Sequence, residues 1–485
     1  MIVNTSSKPA EIVPTCREKL IRPVGPLEKG LLLTEEKRRG ANIITLIGLT
    51  SKIQLHPEMV RQALILLAKR YPLLRMKLVK ESKNGEPIRE YFTEVEDPSE
   101  INFKVLNDYS PDDLESVFER ESEIFLDFKL GPLWRAILSK EIHAVEEDTY
   151  KNAIVFTFHH VITDGRSVAA MLEQLLCYLT LLYEGQEILV ESMPFRPSTA
   201  NLMRHCCTPS ALDKVVFSLT AGISRFRAFL SNSPRPDNLY LASYPPVFTC
   251  DSEAPNKTSI VYREFSPDET MSLTKTCKKL NCSVHGAITA ASHIAMAKIL
   301  QKGNEKAPNG PLLIKASCNV DLRKECRPEI KSNEFVLCVS SLRTEISVYP
   351  FIEDFWKFAQ ECMQKIKWSF FAGQHHRFLK QCHLILAAVE QQGTVPPSQQ
   401  DLRVFNLSNM GKYQWSMEHK GPYRLDRIVA SVTLQSTGPV FALLCSTING
   451  TMYWTNSYNM RVVSREQAVE FLDLTLEILK DACSA

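Results

Sequence analysis

Ala153-Ile154-Val155-Phe156-Thr157-Phe158-His159-His160-Val161-Ile162-Thr163-Asp164-Gly165 begins as an apolar, β-leaning run and ends in a turn. The run reads as a buried strand, the Asp-Gly pair as a turn, and a helical pattern starts at Ser167. Two adjacent histidines therefore stand where a buried strand ends, with a carboxylate four residues after the second. Neighbouring residues on a strand face opposite sides, so one histidine can meet a cavity while the other meets the packed side. Imidazole titrates near neutrality and can take a proton from a hydroxyl, amine or thiol, which makes a held histidine a general base. Asp164 either orients that imidazole or braces the turn through a cation elsewhere. Gly165 suits a close approach of backbone, or a φ that a side chain resists.

Working outward, the helix after the turn carries Val168, Met171, Leu172, Leu175, Leu176 and Leu179 on one face. Before it, Ile43 to Lys52 reads as a strand. A helix follows with Val60, Ala63, Leu64, Leu67, Ala68 and Tyr71 aligned, and Pro72 stops it. Gly131-Pro132 is a tight turn feeding an expected edge strand, Leu133 to Ser139. The length of 485 residues admits two to four domains, and 44% hydrophobic with 23% charged residues is ordinary globular composition. A net charge of +2 makes no case for nucleic acid or an acidic membrane surface. Fourteen cysteines show no Cys-x-x-Cys pair, so neither a zinc site nor a disulfide framework is expected, and Cys206-Cys207 beside His205 reads as incidental. With no apolar leader and no membrane-length run, the expectation is a reduced, cytoplasmic enzyme without an integral membrane segment.

The chain divides into a lead-in (1–20), an N-terminal lobe (21–185), a proline-rich crossover (186–255) and a C-terminal lobe (256–485). The last lobe opens with a strand, Thr258 to Phe265, and a helix start at Ser266-Pro267. Later come a strand from Leu312, a single helical pattern from Phe355 to Val389, and a strand ending in Ser408-Asn409 before Gly411. Asn449-Gly450 between two apolar runs marks a type I′ hairpin. Ser464 to Gln467 is a capping box opening a last helix with Ala468, Phe471, Leu472, Leu476 and Leu479 on one face. His375-His376 repeats the histidine pair, but no Asp-Gly follows. It reads as two polar residues of a helix and not as a second active site.

His159-His160-Val161-Ile162-Thr163-Asp164-Gly165 resembles the HHxxxDG signature of the acyltransferases that include condensation domains of nonribosomal peptide synthesis, alcohol O-acetyltransferases and polyketide-associated relatives. The resemblance extends from about Arg22 to Leu479. Its flanking matches are looser: Phe128 to Arg135 against F-D-L-x-x-G-P-L, Asn319 to Arg323 against V-D-L-R, and Phe405 to Gly411 against S-N-x-G. It implies an α/β fold of two chloramphenicol acetyltransferase-like lobes, each a mixed β-sheet flanked by helices, with an active-site tunnel between them. It also implies that His160 is the general base and that Asp164 is structural, salt-bridged to an arginine, with His159 and Gly165 completing the motif. Arg75 and Arg323 are both candidates for that partner. Ser408 and Asn409 are candidate donors to a tetrahedral oxyanion, with turn capping as the plainer role.

The implied activity is direct transfer of an acyl group from acyl-CoA, as cosubstrate, to the hydroxyl or amine of a small acceptor, with no metal and no bound cofactor. A condensation-type catalyst with a donor on an acyl carrier protein is the alternative. A non-catalytic ligand-binding protein of the same fold is a third reading.

Overall fold

Strand Thr149–His159 is the centre of the N-terminal sheet, and its alternation sorts the two sides of the lobe. Ile154, Phe156 and Phe158 pack against the buried faces of helices Pro57–Arg70 and Gly165–Tyr183. Ala153 and Val155 face the other way, onto Leu114, Val117 and Phe118 of helix Leu114–Ser122. All six residues expected on the first helix face, and all six on the second, are buried. Each valine, leucine or methionine among them contributes about 1.5–3 kcal/mol on burial. The computed structural model describes residues 21–38, 41–81, 89–109, 113–230, 238–247, 257–303, 310–392, 403–413, 421–434 and 438–484. The lead-in 1–20 and part of the crossover lie outside the described residues.

In the N-terminal sheet the order is Tyr423–Val432, Asn42–Ser51, Thr149–His159, Trp134–Ser139 and Phe103–Leu106, with Ile142–Ala144 also paired to Thr149–His159. The C-terminal sheet runs Val339–Val348, Leu312–Asp321, Phe405–Tyr413, Phe441–Ile448, Thr451–Asn459 and Thr258–Phe265. Both sheets are mixed: Phe103–Leu106 runs parallel to its neighbour in one, and Phe405–Tyr413 runs parallel to both neighbours in the other. Helices Val284–Gly303 and Arg465–Ser484 cover the C-terminal sheet through Ala287, Ala291, Phe471 and Leu472. A small third sheet joins Arg22–Pro23, Arg89–Glu94 and Met76–Glu81. No helix among the described residues is long and apolar enough to cross a membrane.

Four expectations change. Residues 256–485 do not all stay in the C-terminal lobe: strand Tyr423–Val432 joins the N-terminal sheet, antiparallel to Asn42–Ser51, with Val432 opposite Ile43 and Tyr423 opposite Ser51. Its other side is pinned to the C-terminal sheet, where Tyr453 Oη donates to the Asp426 carbonyl (2.7 Å) and Thr455 Oγ1 to that of Ala430 (2.6 Å). The two lobes thus share a strand. Secondly, Trp134–Ser139 is an interior strand, since Phe103–Leu106 pairs with its far side and every one of its residues is buried. Thirdly, the helix expected over 355–389 is two helices, Phe355–Phe371 and Gln374–Gln392, broken where Gly373 takes φ +67°. Fourthly, the strand through Ser408-Asn409 does not stop there but continues to Tyr413 past a register shift. The hairpin is as expected, with Asn449 at φ 50° and Gly450 at φ 94°. So is the capping box, in which Ser464 and Gln467 bond each other's backbone.

Behind the central strand lies a buried charge that periodicity does not disclose. Glu121 is fully buried and accepts hydrogen bonds from Arg135, Tyr109 and Thr157. Removing one partner of such a pair strands the other in a medium that solvates it poorly. Glu121→Ala is therefore expected to lower the unfolding free energy by about 3–5 kcal/mol, read from urea denaturation at pH 7. An unchanged urea midpoint would show that Arg135 finds solvent instead.

Candidate active site

The two histidines separate at the strand's end: His159 is the last residue of Thr149–His159 and His160 the first of the turn. His159 is fully buried, with its ring edge-on to Phe128 at 5.0 Å. Its Nδ1 accepts the N–H of Val161 (3.1 Å), and its buried Nε2 finds no hydrogen-bond partner among the described residues. Burial and the neighbouring His160 press its pKa down to about 3, so it holds the turn as a neutral ring. His160 is half-buried and lines the cavity between the lobes. Its Nδ1 lies 2.7 Å from the carbonyl oxygen of Thr163. A carbonyl only accepts, so Nδ1 carries the proton and Nε2 of the neutral ring keeps its lone pair. Burial lowers the His160 pKa, against the opposing pull of the Thr163 carbonyl and the Asp164 charge. The lone pair is thus unprotonated at neutral pH.

Asp164 does not hydrogen-bond that imidazole. Its Oδ1 takes the Ser167 N–H (2.8 Å), as N-cap of the following helix, and Nη2 of Arg323 (3.0 Å). Its Oδ2 takes Nη1 of Arg323 (3.1 Å) and the N–H of Cys338 (2.8 Å). Burial would raise the carboxyl, but the Arg323 guanidinium and these N–H donors hold it below its ordinary value. Of the two candidate arginines, Arg323 is the partner. Arg75 instead bonds Glu94 (2.7 Å) and the carbonyls of Ala68 and Lys69. Arg323 Nη2 also reaches Ser167 Oγ (2.7 Å), and that hydroxyl meets the backbone of Val336. The turn after strand Leu312–Asp321 is thereby clasped to the N-terminal lobe directly behind His160.

The opposite wall comes from strand Phe405–Tyr413. Its register against Phe441–Ile448 shifts between Asn409 and Lys412, and Gly411 sits at φ +88°. Such a bulge re-aims side chains, and here it presents Ser408, Asn409 and Met410 to the cavity. Asn409 Oδ1 accepts the Gly411 N–H (2.9 Å), so the carbonyl end of that amide braces the bulge. A Cβ on Gly165 would stand 3.2 Å from Met410 Sδ, so the glycine serves close approach across the cavity rather than an unusual φ. The cavity measures about 540 Å³. Ile43, Val168, Leu172, Ile428, Ala430 and Leu444 make much of it apolar, while Arg166, Lys324 and Lys331 add cations to its lining.

His160, Asp164, Gly165, Arg323, Ser408 and Asn409 therefore meet at one cavity, and His159 lies behind it. Sequence reading missed Ser167, Met410 and the Cys338 N–H. Ser167 was legible as the residue three after an Asp N-cap; the other two depend on pairing between lobes.

Residues 23–196 match the model of the condensation domain. A stretch of 194 residues is 29% identical to polyketide synthase PksN of Bacillus subtilis (strain 168). That match covers 38% of this chain and only 3% of the length of that curated relative. Among solved structures, the trichothecene 15-O-acetyltransferase TRI3 of Fusarium sporotrichioides is similar over 98% of this chain and 99% of its own, at 15% identity and a TM-score of 0.67. Polyketide synthase associated protein 5 of Mycobacterium tuberculosis is similar over 96% and 99%, at 14% identity and a TM-score of 0.65. The first condensation domain of the calcium-dependent antibiotic synthetase, in complex with a substrate analogue, is similar over 97% and 98%, at 12% identity and a TM-score of 0.63. The fold is accordingly the two-lobe chloramphenicol acetyltransferase-like one, with the condensation-domain match confined to 23–196.

Proposed function

We propose that this chain transfers an acyl group from a thioester to the hydroxyl or amine of a small, lipophilic acceptor, with His160 as general base. The observation that carries this reading is the 2.7 Å contact of His160 Nδ1 with the Thr163 carbonyl, which by its chemistry leaves a basic Nε2 on a ring that lines the inter-lobe cavity. Nε2 takes the acceptor's proton as its oxygen or nitrogen attacks the thioester carbonyl carbon. The C–S bond then breaks, and the imidazolium returns the proton to the departing thiolate. The Ser408 hydroxyl and the Asn409 amide N–H are the side-chain donors proposed for the intermediate's oxyanion. No acyl-enzyme, metal or bound cofactor has a part in this scheme. Acyl-CoA is the donor we propose first, with Arg166, Lys324 and Lys331 as the cations offered to its phosphates beside the carboxylates Asp321 and Glu329.

A donor held on an acyl carrier protein is the second reading, favoured by the condensation-domain match over 23–196. The test is a panel of acyl-CoAs and carrier-loaded thioesters with pooled alcohols and amines, read by mass spectrometry of products. An ester or amide from an acyl-CoA supports the first reading, and product from carrier-loaded donors alone supports the second. Folded protein that makes no product from either class contradicts both.

The pH dependence has a definite sign. The active form is the neutral imidazole, so kcat/KM rises with pH through the free-enzyme pKa of His160 and levels off above it. Burial places that pKa below the ordinary 6.5. An acid limb centred at or above 6.5 would contradict the assignment of His160 as the base.

A further inference from the structure

Glu325, His375 and His376 form a second cluster of titratable side chains, outside the acyl-transfer cavity. His375 is almost wholly buried, which departs from its expected place as an ordinary polar residue of a helix. Nε2 of His375 lies 3.0 Å from Glu325 Oε2, and Nε2 of His376 lies 2.7 Å from the same oxygen. One ligand atom from each of the three residues lies within 4.8 Å of the others. The other carboxylate oxygen, Oε1, is buried and finds no partner among the described residues.

Side chains of adjacent residues on a helix ordinarily diverge by about 100°. Here two features turn the rings together at the start of helix Gln374–Gln392. The His375 ring stacks on Phe370 at 4.4 Å and 8°. Gly373 leaves space for the His376 ring, since a Cβ there would stand 3.3 Å from Nδ1 of His376.

We propose that Glu325, His375 and His376 form a binding site for a divalent transition ion of the zinc class, with water completing the tetrahedron. Two imidazole nitrogens and one carboxylate suit zinc, whereas magnesium and calcium take all-oxygen sets. Ligands about 2.0–2.1 Å from zinc lie about 3.3 Å apart, so the ion enters when the carboxylate withdraws by a few tenths of an ångström and both rings take the neutral Nδ1–H form, which frees each Nε2 to ligate. The site joins the helix Gln374–Gln392 to the turn that carries Arg323, two residues before Glu325. Ser340 Oγ, which donates to the His375 carbonyl (2.8 Å), already fastens that helix end to the neighbouring strand. An ion there fixes the turn whose arginine clasps Asp164. Its role is structural, and it is independent of the acyl donor.

The experiment strips the full-length protein with a chelator, dialyses it against zinc chloride with a reducing agent, and counts bound zinc by elemental analysis. Wild type is expected to retain one equivalent and to melt a few degrees higher than the stripped protein. His376→Asn and Glu325→Gln are each expected to weaken zinc by about 100-fold or more, beyond the 10–100-fold cost of an outer-shell change. His376 is only partly buried, so His376→Asn carries the test if Glu325→Gln does not fold. Wild type that retains less than about 0.1 equivalent overturns the proposal and leaves a hydrogen-bonded triad. Undiminished zinc in His376→Asn also overturns it and moves the metal to the cysteines.

Discussion

Replacing His160 with alanine is expected to lower turnover by about 10²–10⁴-fold while leaving the fold intact. His160 is only half-buried, and among the described residues its side chain makes one hydrogen bond, to the Thr163 carbonyl, so little stability rests on it. The loss falls on kcat, because a general base acts on the proton in transit and contributes little to holding either substrate. His160→Gln keeps a polar side chain without a titrating nitrogen and is expected to be as inactive as alanine. His159→Asn behaves differently. His159 has no place in the cavity, so its loss shows mainly as a lower melting temperature. Steady-state kinetics and thermal unfolding on the three variants separate the roles, and a His160→Ala enzyme within tenfold of wild type would remove His160 from the chemistry.

The second large effect concerns stability. Asp164 and Arg323 are buried together, at 6% and 4% side-chain exposure; without Arg323 the carboxylate has no cation, whereas Arg323 without Asp164 keeps Asp321 at 3.0 Å. Asp164→Ala also removes the N-cap of helix Gly165–Tyr183. The expected loss is about 3 kcal/mol for the broken buried pair, at the low end because Asp321 stays beside Arg323, and about 1 kcal/mol for the cap. Arg323→Met strands the carboxylate instead, at comparable cost. The double variant Asp164→Ala with Arg323→Met is expected to lose less than the sum of the two by about 1–3 kcal/mol, because neither charge is then left alone. The pH dependence follows from the same pair. Folding depresses the Asp164 pKa below its ordinary 3.8, so its stabilisation is complete above that value and is lost as pH falls toward the folded pKa. Urea unfolding at pH 7 and at pH 4 to 2.5 checks both statements. Additive losses would mean that the pair is not coupled.

What was legible beforehand was local. The run from Ala153 to Gly165 shows its strand, turn and helix because alternation, Asp-Gly and apolar spacing each speak within a few residues. Asn449-Gly450 and the box at Ser464 declare themselves for the same reason. The shared strand Tyr423–Val432 does not, because nothing in its own residues says which of two sheets will pair with it. Arg75 and Arg323 look alike in sequence, each near a turn, and only the return of the C-terminal lobe decides between them. Glu121 stands in an amphipathic helix like any surface glutamate, and its burial follows from Arg135 on a strand that turned out to be interior. The break at Gly373 was readable as a glycine inside a helical pattern. Its consequence, the convergence of His375 and His376 on Glu325, was not, since Glu325 comes from a turn 50 residues earlier.

The most direct test of the central claim is a single-turnover experiment read by intact-protein and small-molecule mass spectrometry. The protein is mixed with a stoichiometric thioester donor, with and without the acceptor found in the panel, beside a His160→Ala control. Direct transfer predicts that the donor is consumed only when acceptor is present, that product appears at the same rate, and that the protein's mass never changes. An acylated protein that forms without acceptor and decays when acceptor is added, in wild type but not in His160→Ala, would contradict it.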